Sequence, residues 1–493
     1  MSVFARALLA AVMSAIAAGV VVAGESGDFG RAFGDETLRI DYFHVGSAAE
    51  EFATLDQVWR QGVWAGSRVH LVDDLNNGNY YAKLYDAVTG ELLWSRGFDS
   101  YFGEYKTTEQ AGRGERRAYH ESVLAPCPQG RVRFALEVRQ RDKTLREFFS
   151  AEIDPGAWTV RRDPPDPDVV VVEERLSGDP HAKVDIAILA EGYTAAQEGK
   201  FRADLARFTR VLFGHEPFAA LADRFNVRGV FRPSADSGCD EPSRGVHRRT
   251  VLGTTFDSLG SERYLLTEDN RALRDLAAAV PYDVLYVMVN HERYGGGGIY
   301  NLFCTFTTDN QWSEYVFLHE LGHAFAGLAD EYYTSSTAYN EFYPRGIEPV
   351  EPNITALLDP AALKWRGLVA AGTPLPTPWE KAEHDELDLA YQKLRTELND
   401  RIAALMRAGA PAAEIALLQT ESETRSLEHA RRIDAYLATS VWGATVGAFE
   451  GAGYSSEGLY RSQLDCIMFT KGSKPFCAAC RRAIARVTER YTE

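Results

Sequence analysis

Prolines at 164, 165, 167 and 180 fall within "RRDPPDPDVVVVEERLSGDPHAK" (161–183), and they limit what this chain can fold into more than any other feature. Each proline lacks an N–H and fixes φ, so no helix or central strand is expected to run through the cluster. The 493 residues are therefore read as separate cored units on either side of a linker at 161–181. With 45% hydrophobic residues, each side has material for a core.

The segment before the prolines reads as β structure. "TLRIDYFHVG", "YYAKLYDA", "ELLWSRGF", "RVRFALEVRQ" and "LREFFSAEID" are short runs with apolar alternation, and "DAVTGE" is a hairpin turn candidate. Several short strands in this space predict an all-β sandwich over 30–160. It contains no catalytic cluster and is read as an accessory domain.

After the prolines the pattern becomes α/β. "VDIAILAEG", "FNVRGVFRPS" and "YDVLYVMVN" read as strands, and "TAAQEGKFRADLARFTRVLFG" as a helix opened by Thr194 as N-cap. Gly295 to Gly298 read as a turn, since they lack the GK[ST] ending of a phosphate loop. "IYNLFCTF" is the next strand. Within 379–437, Leu387, Tyr391, Leu394, Leu398, Ile402 and Leu405 recur at helical spacing, "GAP" at 409–411 interrupts, and Ile415, Leu418 and Ile433 resume. This predicts an antiparallel helical hairpin inserted in the second domain, as scaffold, lid or partner-binding arm.

At the start of the chain, Arg6 is followed by the apolar run from Ala7 to Ala23. A basic start, an apolar stretch and small residues near Ala23 read as a signal peptide at 1–23; an uncleaved anchor is the alternative. The expected location is secreted or periplasmic, without stable membrane insertion after cleavage. A net charge of −17 argues against nucleic acid or an anionic membrane held by bulk charge. In an exported chain the six cysteines invite disulfides. Cys477 and Cys480 form a CxxC with no second CxxC, so a structural zinc there would lack ligands. One or two bridges among Cys466, Cys477 and Cys480 are expected instead, with the pairing open.

The chemistry concentrates in "YVFLHELGHAFAGLADEYY" (315–333). Residues four apart on a helix lie about 40° apart around its axis, so His319 and His323 share a face. Two such imidazoles can grip one Zn2+ at about 2.0–2.1 Å. Glu320, rotated by about 100°, can reach a metal-bound water and take its proton. Gly327 offers a turn out of the helix, which would let Asp330 return as the third ligand; Glu331 is the second choice. A glutamate on a later helix is a further alternative.

Beyond the histidines, "SADSGCDEP" (234–242), "FDSLGSERYL" (256–265), "VLYVMVNHERYGGGGIYN" (284–301), "HELGHAFAGLADEYY" (319–333) and "FEGAGYSSEGLYRSQLDCIM" (449–468) occur in this order. In these motifs the chain resembles the bacterial IgA-specific metallopeptidase family, a metzincin-like group of zinc endopeptidases. "LRIDYFH" through "YDAVTGELLWSRGFDS" resembles the β domain that precedes the catalytic domain in that family. The resemblance covers nearly the whole mature chain except the hairpin. The glycine and the acid each fall one residue later than in the metzincin pattern HExxHxxGxxH.

The resemblance implies an α/β metzincin-like catalytic domain at 182–493, with His319, His323 and Asp330 on zinc and Glu320 as general base. It implies a methionine turn at Met468 and an edge strand "IYNLFCTF" that pairs with an extended substrate. Tyr454 or Tyr460 could donate to an oxyanion, or simply pack. The expected activity is that of a secreted zinc metalloendopeptidase acting on protein or peptide. A metal-dependent amidase on cell-wall peptides, or a non-catalytic adhesin with a peptidase-like fold, are the alternatives.

Overall fold

A computed structural model describes residues 27–334 and 342–492. The proposed signal peptide lies outside the described residues.

The N-terminal region holds short helices α1 (Gly27–Ala32), α2 (Tyr101–Tyr105) and α3 (Glu109–Gly112) and seven strands. These strands are β1 (Phe33–Gly46), β2 (Glu51–Gln61), β3 (Tyr80–Asp86), β4 (Leu92–Phe98), β5 (Arg117–Pro128), β6 (Val132–Arg139) and β7 (Leu145–Ile153). They form two antiparallel sheets, ordered β2-β1-β5 and β4-β3-β6-β7. Leu38, Ile40 and Tyr42 of one sheet share a core with Leu84, Phe134 and Leu136 of the other. In the β3–β4 turn the Asp86 carboxylate accepts from the N–H groups of Val88 and Thr89 at 2.9 and 2.7 Å, fixing the hairpin.

The larger region is built on a six-stranded sheet. Its strands are β8 (Val170–Arg175), β9 (Val184–Glu191), β10 (Phe225–Phe231), β11 (Val284–Val289), β12 (Gly296–Ile299) and β13 (Phe303–Thr307), in the order β12-β13-β11-β9-β10-β8. The four central strands are parallel, and β12 and β8 close the edges antiparallel. Strand β8 lies inside the segment read as a linker: the prolines stop on either side of it, and "VVVEER" between them pairs with β10.

Strand β9 is buried along its whole length because both faces are covered. Ile186 and Ile188 face a core with helices α4 (Glu198–Phe213), α6 (Ser313–Ala326) and α9 (Ala478–Thr492). Ala187 and Leu189 face a second core with α5 (Asn270–Ala277) and with Tyr101, Phe102 and Tyr105 of the N-terminal region. The β region thus completes the hydrophobic cover of the larger sheet. Arg39 Nη1 to Asp275 at 2.6 Å and Asn301 Nδ2 donating to the Gly97 carbonyl at 2.7 Å add polar contacts between the two regions.

Helices α7 (Lys381–Arg407) and α8 (Ala412–Leu437) are joined by a short turn with Gly409 at φ 65°. Leu398 and Ile402 pack on Leu418, while Ile433 and Leu437 enter the main core. A small sheet of β14 (Ile354–Thr355), β15 (Phe449–Ala452) and β16 (Ser455–Arg461) stands beside the site helix. Among the described residues no helix is long and apolar enough to cross a membrane.

Candidate metal centre

Helix α6 buries Val316, Phe317, Leu321 and Phe325 in the core and turns His319, Glu320 and His323 toward a cleft. It ends at Gly327, whose φ of 60° is left-handed and reverses the chain. Asp330 then comes back to the histidines.

His319 Nε2 and His323 Nε2 lie 3.1 Å apart, and Asp330 Oδ1 lies 3.0 and 3.3 Å from them. On the far side of each ring a carbonyl fixes the tautomer. His319 Nδ1 donates to Ile467 O at 3.0 Å, and His323 Nδ1 donates to Leu328 O at 2.5 Å. A carbonyl can only accept, so each neutral ring presents an unprotonated Nε2 lone pair. Two imidazole nitrogens and a carboxylate oxygen therefore converge, an arrangement that suits a cation. Ligand bonds of about 2.0–2.1 Å at tetrahedral angles would place such donors about 3.3 Å apart. Among the described residues, buried Asp330 Oδ1 has no hydrogen-bond partner beyond the two imidazole nitrogens that face it, as expected of an atom placed for a metal.

The segment carrying Asp330 is held by backbone pairing. Gly453 N–H donates to Asp330 O at 3.0 Å, Glu331 N–H to Met468 O at 2.8 Å, and Tyr454 N–H to Tyr332 O at 3.1 Å. The Tyr454 hydroxyl donates to Asp330 Oδ2, leaving Oδ1 for the centre. Sequence reasoning left Tyr454 between an oxyanion role and packing; here it orients a carboxylate. Tyr460 is turned toward Glu450 at 3.4 Å, away from the cleft. Met468 is buried under the helix, where a Cβ at Gly322 would meet its Sδ at 3.1 Å.

Glu331 does not face the histidines. Its Oε1 lies 3.5 Å from Cys477 Sγ and 3.4 Å from Cys480 Sγ. The expected bridges are absent: all six cysteines are free, with Cys477–Cys480 and Cys466–Cys480 sulfurs 3.3 and 3.9 Å apart. A disulfide needs about 2.05 Å.

The edge of the sheet above the cleft also differs from expectation. "IYNLFCTF" supplies the interior strand β13, and the edge is β12, built from the glycine run read as a turn. Glycine carries no side chain and so gives no periodic signal, yet packing demands it here. A Cβ at Gly298 would sit 2.6 Å from Glu320 O and 3.0 Å from His323 Cβ, and one at Gly296 would sit 3.0 Å from Glu320 Oε1.

The other walls of the cleft include Arg263, Tyr294 and Tyr332, and Asp99 and Glu104 from the N-terminal region. Burial pushes the Glu320 carboxyl above its usual range, against the pull of both histidines. The arrangement offers three converging metal donors and one proton-accepting carboxylate beside them.

A search of curated proteins finds no match to this chain. Family models do match it. The model described as the peptidase M64 N-terminus matches residues 28–150. The model described as IgA peptidase M64 matches residues 172–488, which hold the histidines, Asp330 and the three clustered cysteines. The chain belongs to the IgA peptidase M64 family.

Proposed function

We propose that this peptidase is a secreted zinc metalloendopeptidase with a metzincin-like catalytic domain at 182–493. In this reading His319, His323 and Asp330 hold the metal and Glu320 is the general base. The single observation that carries it is the convergence of two imidazole Nε2 atoms on one buried carboxylate oxygen. Zinc, when bound, supplies Lewis acidity toward a substrate carbonyl and toward water.

The chain's own residues do the rest. Glu320, made more basic by burial, takes a proton from the attacking water and returns it to the leaving amine. Tyr454 and Asn353 keep the ligand loop in place: Asn353 accepts from Ala329 N–H at 2.8 Å and donates to Ala329 O at 2.9 Å. Strand β12 offers backbone groups at Gly298 and Ile299 along the cleft, where an extended peptide can pair. The accessory β domain (30–160), the linker (161–181), the inserted hairpin (379–437) and a signal peptide at 1–23 complete the proposal.

The test is to incubate purified mature protein, beside its Glu320→Gln variant, with a proteome-derived peptide library and map the cuts by mass spectrometry. Internal cuts made only by the wild type are expected. Cuts unchanged in the variant would remove Glu320 from the mechanism, and no cuts from metal-loaded wild type would overturn the endopeptidase reading.

A further inference from the structure

We infer that the chain carries a second, structural metal site, in which Cys466, Cys477, Cys480 and Glu331 bind one zinc ion. All four side chains are buried, and one ligand atom from each lies within 4.8 Å of the others. The spacing fits a tetrahedral ion. Bonds of about 2.3 Å to sulfur and about 2.0 Å to oxygen separate two sulfurs by about 3.8 Å, and a sulfur from an oxygen by about 3.5 Å. The sulfurs here are 3.3 and 3.9 Å apart, and Glu331 Oε1 is 3.5 and 3.4 Å from two of them.

Two of the three sulfurs accept hydrogen bonds of the kind that support metal-bound thiolates. Cys466 Sγ accepts from the N–H groups of Cys477 and Met468 at 3.2 and 3.4 Å. Cys477 Sγ accepts from the Cys480 N–H at 3.4 Å and from the Ser462 hydroxyl at 3.0 Å. Cys477 and Cys480 also stand at the start of α9, where the helix dipole favours negative sulfur. Glu331 Oε1 accepts from Asn353 Nδ2 at 3.1 Å, while its Oε2 is buried without a partner. The buried Arg461 attracts Glu331 from nearby but gives its hydrogen bonds to the carbonyls of Glu450, Gly451 and Leu464, so among the described residues the carboxylate beside the sulfurs has no directly bonded cation and its burial is costly. With zinc it becomes the fourth ligand that the lone CxxC lacks.

The third candidate cluster, Asp41, Asp56 and His120, shows the contrast. There arginines already fill the cation's role: Arg39 bonds Asp41 at 2.7 Å and Arg271 bonds Asp56 at 2.6 Å.

The second ion would staple the segment at Glu331 to the segment at Cys466–Cys480. One carries Asp330, next to Glu331. The other carries Ile467, whose carbonyl orients His319, and Met468, whose carbonyl binds Glu331 N–H. Binding releases the protons of the three thiols and changes no oxidation state.

The test is native mass spectrometry of the full mature chain, purified without chelator, beside His319→Ala/His323→Ala. Two zinc ions are expected in wild type and one in the double variant. Zinc X-ray absorption of that variant should show sulfur scatterers, which isolates this site from the catalytic proposal. Cys480→Ser should hold one ion fewer than wild type. If Cys480→Ser fails to fold, the double variant alone decides. No zinc in the double variant, an ion without sulfur neighbours, or a mass deficit of two hydrogens from a disulfide among these cysteines would overturn the inference.

Discussion

Asp330 and Glu331 are consecutive, yet their carboxylates serve different donor sets: Asp330 Oδ1 meets the two histidines and Glu331 Oε1 meets the cysteines. The chain through them is pinned on both sides, by Gly453 and Tyr454 of the β15–β16 turn on one side and by Met468 on the other. A single dipeptide thus divides its acids between the two places. Asp330→Ala should lose the histidine-bound ion and lower kcat/KM by more than about 100-fold, since even outer-shell changes at metal sites cost about 10–100-fold. Glu331→Gln should chiefly lower Tm and leave the histidine-bound ion in place. Metal content and thermal melts of the two variants check this, and identical losses in both would contradict the division.

Glu320→Gln preserves the volume of the side chain and its place beside Gly296 and Gly298. Turnover should fall by about 10²–10⁴-fold, the usual contribution of a positioned proton acceptor. Metal content and Tm should match wild type. A variant that loses its metal along with its activity would point to Glu320 as a ligand instead.

Glu320 should also set the acid limb of the pH profile. Burial raises its carboxyl above the usual range, so kcat/KM should fall on acidification at a higher pH than an exposed glutamate would give. An acid limb that is unchanged in Glu320→Asp and lies in the ordinary carboxylate range would argue for a different base.

How far the sequence revealed these features follows from where their partners sit. His319, Glu320, His323, Gly327 and Asp330 lie within one helix and its turn, so local spacing brought them together on paper. Strand β5 was not apparent from alternation because it buries polar groups: Glu121 accepts from Tyr42 Oη at 3.0 Å and from Phe102 N–H at 2.9 Å. Strand β12 was hidden because glycine leaves no hydrophobic period. The CxxC was read as short of metal ligands, and Glu331 went unnoticed beside it because it lies 146 and 149 residues from the cysteines it meets, with no local pattern to link them. Helix α5 spans only eight residues, too few for a periodic signal.

Gly298→Ala tests whether β12 must be glycine. The added Cβ would press on backbone of α6 and on His323, neither of which can swing away. A loss of about 1–3 kcal/mol in stability is expected, as for overpacked cores, with reduced metal affinity from displaced His323. Chemical denaturation and a chelator competition would measure both. Wild-type values would show that strand and helix separate freely.

Proton and metal should compete at His323. Burial alone would lower its imidazole, but the Asp330 carboxylate outweighs burial and raises it to about 9 in the metal-free protein. Asp330 is in turn held well below the usual carboxylate range by the histidines, despite its own burial. Because Nδ1 already donates to Leu328 O, the extra proton sits on Nε2, the atom a metal needs. Metal uptake at neutral pH must therefore expel it. Apparent affinity of the histidine site should rise by about tenfold per pH unit below that value and level off above it. Chelator competition across neutral to alkaline pH, with the same series on His323→Ala to subtract the cysteine site, would show the slope. A pH-independent difference would place the proton elsewhere and undo the pairing of His323 with Asp330.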